Sequence, residues 1–149
     1  MSTYQDIGKR AFVIAALLSF LAALAHLLTI FAGAHGYRTM GAGEAMAKMA
    51  ARGELYPTFV TLGICIVLIV WGVYALSAAQ LVRALPLRKT ALVLITLVLS
   101  ARALGGLYLA TGEHSVLGNS ALFWLISSLL CLGYGATFLI GLTTRWKRL

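Results

Sequence analysis

An all-α integral membrane bundle of four helices, with both termini cytoplasmic, is the fold class this chain predicts. Three observations predict it. The 149 residues are 61% hydrophobic and 11% charged, against roughly 45–50% apolar and about 25% charged in soluble domains. Four stretches, about 11–33, 57–82, 90–110 and 120–142, are each apolar enough to cross a hydrocarbon core of about 30 Å as a helix of about 20 residues. The basic residues then sort by face: Lys9, Arg10, Arg83, Arg88, Lys89, Arg145, Lys147 and Arg148 on one, Arg38, Lys48 and Arg52 on the other. Counting Asp6 against the first group and Glu44, Glu54 and Glu113 against the second leaves +7 and zero. Short basic loops stay inside, which gives an N-in/C-in protein. The whole chain, 1–149, is one transmembrane domain with no room for a soluble one.

The elements follow in order. Lys9-Arg10, an apolar run and Ala32-Gly33-Ala34 have the layout of a secretory signal. The run of about 21 residues exceeds the roughly 7–15 of such a signal, so a retained anchor is expected. The first outer loop reads GAGEAMAKMAAR from Gly41 to Arg52, glycines followed by strong helix formers. Glu44 and Lys48 stand four apart in the order that favours a helical ion pair, with Arg52 continuing that face. Met46, Met49 and Ala50 fall on another face, so a short amphipathic helix is expected over the outer surface or folded back on the bundle. Pro57 suits the first turn of the second span, Pro86 breaks the short inner loop, and Asn119 or Ser120 can cap the fourth span. Trp124 and Trp146 fall near opposite membrane faces, as interfacial anchors do. Ala101 with Gly105, and Gly133 with Thr137 and Gly141, repeat small residues at four-residue spacing, which reads as helix packing. Cys65 and Cys131 lie inside spans and read as small apolar packers rather than a disulfide or redox pair.

Arg102 is the most informative residue. Its flanks, 91–101 and 103–110, hold no other charge, and an ionised side chain within a span marks a site or a partner by default. Counted from the outer end of each span, His26, Cys65, Arg102, Ser127 and Ser128 are all about seven or eight residues deep, a shared layer roughly 10–12 Å down. Thr61 and Asn119 lie above it, and Glu44, Glu113 and His114 in the outer loops. The layer reads as an outward-facing polar pocket built from Arg102, Glu44, His26, Ser127, Ser128 and Asn119. Arg102 offers a planar fork that suits phosphate or carboxylate, with Glu44 as its counter-ion when the site is empty. The competing readings are structural pairing with a loop carboxylate and snorkelling of the guanidinium to the head groups. His26 can equally be an interhelical hydrogen-bonder, and the serines can bond to their own helix carbonyls.

Other classes rank lower. The basic excess lacks the aromatic-basic groove of a nucleic-acid binder, and bis-histidine haem would need a second intramembrane histidine. One histidine and scattered cysteines give no metal-ligand spacing, so neither metal nor cofactor is expected. The partners implied are membrane lipids, with a membrane-protein partner or a second copy as the other class. The leading function is binding a lipid or other amphipathic anion, or service as an accessory membrane subunit; the rival is a small membrane enzyme acting on lipid head groups.

The strings YRTMGAGEAMAKMAARGELYPT (Tyr37 to Thr58), WGVYALSAA (Trp71 to Ala79), RALPL (Arg83 to Leu87) and GNSALFWLISS (Gly118 to Ser128) resemble a group of small bacterial inner-membrane proteins with four predicted spans and no assigned activity. The resemblance covers most of the chain, and the GAGE–YPT loop is its most distinctive part. It implies a bacterial four-helix membrane protein and carries over no catalytic residue.

Overall fold

Each of the four apolar stretches forms a helix long enough to span a membrane. The computed structural model describes residues 2–112 and 118–149, and within them the chain is all helix and connection: α1 (Ser2–Thr39), α2 (Glu44–Ala51), α3 (Tyr56–Ala78), α4 (Arg88–Ala110) and α5 (Ala121–Arg145). A short 3-10 turn, Trp146–Arg148, follows α5. Both ends of the chain lie at one end of the bundle, called here the terminal end; α2 and Asn119 mark the opposite, loop end.

α1 runs past its apolar stretch because the chain bends at Gly33, whose φ of 58° and ψ of −142° only glycine adopts readily. Beyond the bend the helix folds against itself. A Cβ on Gly36 would stand 2.6 Å from the Thr29 carbonyl oxygen, so glycine is required for the close approach. The fold carries Tyr37 into the interior, where its hydroxyl accepts from Thr61 of α3 at 3.5 Å.

α2 is the expected amphipathic helix. Ala47 is fully buried and Met46, Met49 and Ala50 are half-buried, while Lys48 stays exposed. A small residue at the deepest point lets the helix lie close over the bundle, against α1 and α3. Its acidic residue has a different partner from the one expected. Both carboxylate oxygens of Glu44 accept from Arg38, from Nε at 2.8 Å and from Nη2 at 2.9 Å, because the loop through Gly41 and Gly43 brings α2 back beside the end of α1. Arg52 likewise pairs with Glu54 at 2.8 Å rather than continuing a Glu44–Lys48 ladder.

α3 starts with Pro57 in its first turn and ends at Ala78, four residues before the expected 82. Gln80 takes a left-handed φ of 62°, and the buried Ser77 organises the exit. Its hydroxyl donates to Arg83 O at 3.0 Å and accepts from Leu85 N at 3.1 Å. α5 is capped by Ser120, whose side chain accepts from Phe123 N at 3.2 Å. Asn119, the other capping candidate, instead donates to Gly41 O at 3.1 Å and ties the start of α5 to the α1–α2 link.

The helices pair as α1 with α3, α1 with α5 and α4 with α5. Lipid is as apolar as leucine, so these seams depend on close fit rather than on expulsion of water. The α1–α5 seam steps by seven on both helices. Gly141 admits the Phe12 ring, which would lie 2.7 Å from a Cβ there, and Tyr134 hydrogen-bonds Ser19. On the other seam, Leu99 Cβ would be 3.3 Å from a Cβ on Gly135, and Gly106 faces Ser128. The core shared by all four long helices (Phe12, Ala75, Ala79, Leu92, Ile95 and Phe138 among its members) lies in the terminal half. The buried members that α3 gives to that core are Ala75 and Ala78 at its end, joined by Ala79 just beyond it. In the loop half, the α1–α3 and α4–α5 pairs are not sealed together by it.

The terminal end is closed by arginine. Arg145 is only 4% exposed; it donates to Gln80 Oε1 at 2.7 Å and to Gln5 O at 3.3 Å, joining α5 to the end of α3 and the start of α1. Arg88 donates to Ser77 O at 3.0 Å and to the Arg148 and Leu149 carbonyls at 2.9 and 3.0 Å.

Candidate functional site

Arg102 reaches its neighbours by running along its own helix toward the loop end. The α4–α5 register (Leu99 opposite Gly135, Gly106 opposite Ser128) puts the Arg102 backbone level with Leu132. Its guanidinium nevertheless bonds Ser127, five residues or about 7 Å higher: Nη2 donates to Ser127 Oγ at 3.3 Å. The same group lies over the Trp124 ring, 5.0 Å from its centroid. Trp124 is one turn from the start of α5, so the charge has moved most of the way to the membrane boundary. The path is open because residue 106 is glycine. A Cβ there would stand 2.5 Å from Arg102 Nη1 and 2.1 Å from Ser128 Oγ.

The expected layer put His26, Cys65, Arg102, Ser127 and Ser128 at one backbone depth; the Arg102 backbone lies deeper than the serines, and its guanidinium alone reaches Ser127. Ser128 is fully buried beside Gly106, and its hydroxyl has no hydrogen-bond partner among the described residues; nor has the buried Trp124 Nε1. Ser127 Oγ donates to Trp124 O at 3.2 Å while receiving Arg102.

His26 stands one further step of seven along α1 beyond Ser19, and among the described residues no hydrogen bond joins its ring to Arg102, Ser127 or Ser128. The half-buried ring is within 2.8 Å of Ala22 O through Nδ1. A carbonyl only accepts, so Nδ1 carries the proton and Nε2 is left for another group.

Two of the expected pocket residues belong elsewhere. Glu44 is not the counter-ion of Arg102, since Arg38 holds both its oxygens; that hydrogen bonding, with weaker help from the Arg38 and Lys48 charges, keeps its carboxyl below the usual value. Asn119 serves the cap at the loop end. Among the described residues no carboxylate lies within 4.0 Å of Arg102; Glu113 and His114 fall outside those residues. Cys65 packs α3 on α1, with its sulfur 3.4 Å from Ala23 O. No three His, Cys, Asp or Glu side chains gather into a metal-binding group among the described residues.

Sequence reasoning missed Gly106 and Trp124 as parts of the site. The signal was present as Arg-x-x-x-Gly, a long side chain followed one turn later by a missing one. Gly105 was the glycine singled out instead, yet a Cβ on Gly105 or on Gly133 would meet nothing within 4 Å. Those two, with Ala101, lie on the outside of the bundle; of that set Gly141 makes the close helix contact.

Three hydrogen-bond donors lie at this patch, the guanidinium, the Ser128 hydroxyl and the Trp124 indole N–H, while the Ser127 hydroxyl is spent on Trp124 O. Such a set suits an oxyanion. No family model, curated protein or solved structure matches the chain.

Proposed function

We propose that this multi-pass membrane protein binds an amphipathic anion, in a bilayer a lipid head group, in the loop half between α1, α4 and α5. Arg102 is the anion-binding fork, Ser127 positions it by accepting from it, Ser128 supplies a hydroxyl donor, Trp124 provides the aromatic floor, and His26 is placed at the border of the site. Glu44 and Asn119 hold the cap above it. The observation that carries this reading is the path of Arg102. Its exposed guanidinium is led over Gly106 onto Trp124 and Ser127, beside two buried donors with no partner among the described residues. A guanidinium that only neutralised a loop carboxylate would have no use for that floor.

The basic excess at the terminal end supports placing that end in the cytoplasm, and the bacterial inner membrane as the location rests on the resemblance of the GAGE–YPT loop and its companion strings. The site then serves the outer leaflet. Ser127 is bonded to Arg102, whose guanidinium cannot take up a proton, and Ser128 has no partner among the described residues, an arrangement that favours binding over nucleophilic chemistry. An accessory-subunit role has its own support in the outward Ala101–Gly105 face of α4, since small residues let a second helix approach closely.

The test is native mass spectrometry of lipid co-purified with the wild type, Arg102→Gln and Arg102→Lys. Binding at the fork predicts loss of anionic adducts in Arg102→Gln and only partial recovery in Arg102→Lys, which keeps the charge without the planar geometry. An unchanged adduct profile in a folded Arg102→Gln protein would sink the reading. Displacement of the adduct by inorganic phosphate would identify the head group, rather than the acyl chains, as what is recognised.

A further inference from the structure

The opposite flank of the α4–α5 pair carries a second feature, at the terminal end. A groove of about 540 Å³ runs between the two helices, lined by Val93, Thr96, Leu97, Leu139, Thr143 and Trp146. Its volume falls within the roughly 300–1,000 Å³ of small-molecule sites. Its two threonines do not make it polar. Thr96 Oγ1 donates to Leu92 O at 2.8 Å, and Thr143 Oγ1 to Leu139 O at 3.0 Å and Ile140 O at 3.1 Å, so their hydroxyls are spent on their own helices. The remaining surface is methyl and ring.

At the mouth the chemistry reverses. Lys89 Nζ sits 5.1 Å from the centroid of the Trp146 ring that closes the groove. Lys89 also lines a second cavity of about 290 Å³, with Leu85, Leu87, Arg88, Thr90 and Leu149. Arg88 Nε is buried there with no hydrogen-bond partner among the described residues. An apolar trough within the span, opening onto cations and an interfacial tryptophan at its end, matches an acyl chain joined to a phosphate. A neutral or cationic partner would meet eight basic residues and one acidic residue at this end of the protein.

We infer that this groove is a binding site for one anionic phospholipid of the leaflet at the terminal end, its acyl chain between α4 and α5 and its phosphate at Lys89. The site is separate from the Arg102 patch. On α4, Arg102 and the groove residues Thr96 and Val93 flank the α5-facing line of Ile95, Leu99, Ala103 and Gly106 on opposite sides.

The experiment uses the full chain in nanodiscs containing phosphatidylglycerol and phosphatidylcholine, read by native mass spectrometry after gentle ejection. The wild type is expected to retain phosphatidylglycerol in preference to phosphatidylcholine. Lys89→Gln should lower phosphatidylglycerol retention about fivefold, the worth of one cation at an anionic surface, and Leu97→Trp should lower retention of both lipids by filling the groove. Thr143→Trp serves as the second filling variant if Leu97→Trp does not fold. All variants are made with and without Arg102→Gln. Loss caused by Lys89→Gln and a groove-filling substitution, and persisting in the Arg102→Gln background, supports this site whatever happens at Arg102. Unchanged retention in folded Lys89→Gln and groove-filled proteins overturns it, as does a lipid-free dimer formed through this face.

Discussion

Gly106 governs how Arg102 behaves, because a single methyl there would occupy the space of both the guanidinium and the Ser128 hydroxyl. Gly106→Ala should destabilise the α4–α5 seam by roughly 1–3 kcal/mol, the usual cost of overpacking, read as thermal unfolding in detergent. Adding Ser128→Ala removes the nearer clash and should restore part of the loss. A double variant no more stable than Gly106→Ala would mean that the seam is not set by this contact. At this scale the sequence was half legible. An isolated arginine in a span announces itself, but depth counting set its backbone level with the serines when it stands level with Leu132. The side chain's direction along the helix was not written there, since it depends on which neighbouring surface is vacant. The same limit misassigned Glu44: a carboxylate four residues before a lysine looks paired, but a loop of glycines delivered Arg38 with better geometry.

The Arg38–Glu44 fork makes α2 sensitive to acid. Hydrogen bonding from Arg38 lowers the Glu44 carboxyl below its ordinary value of 4.5, so the folded cap binds the proton less readily than the free chain does. Its contribution is present in full above that ordinary value and is lost as the pH falls through the lowered one. Hydrogen exchange of the α2 amides should therefore be flat from neutral pH to about 5, after correction for intrinsic rates, and rise in stronger acid; Glu44→Gln should remove the step. Both partners are exposed, so salt should weaken the effect. At the other end of the bundle, Arg145→Met should cost roughly 1–3 kcal/mol through the lost bonds to Gln80 and Gln5 and the buried groups left without partners. Element existence was readable from apolar length, Pro57 and Ser120. Element ends were less so: the stop of α3 rests on Ser77 gripping the loop and on Gln80 in a left-handed conformation, neither of which has a strong local signature.

At the scale of the molecule, the core common to all four long helices lies in the terminal half, and the contacts of Arg102 with Ser127 and Trp124 lie in the loop half between α4 and α5. In the proposed reading, stability and binding fall at different depths of one bundle. The pairing of helices was not legible in the sequence. The step of seven from Phe12 to Ser19, matched by the step from Gly141 to Tyr134, is visible only once α1 and α5 are known to be neighbours. The orientation argued from charge predicts that Lys147→Cys is labelled by an impermeant maleimide only from the cytoplasmic side and Arg52→Cys only from the opposite side. The reverse pattern would move the Arg102 site to the inner leaflet.

In the proposed site the Arg102 guanidinium contacts a lipid head group. Carbon–phosphorus dipolar recoupling on arginine-labelled protein in phospholipid bilayers measures that contact directly, with the Arg102 signal assigned by its absence in Arg102→Gln. A charge-assisted hydrogen bond of about 2.7–2.9 Å from nitrogen to phosphate oxygen predicts strong dephasing of Arg102 Cζ by lipid phosphorus. A well-resolved Arg102 signal that does not dephase, in protein whose α4–α5 packing is intact, would contradict the account.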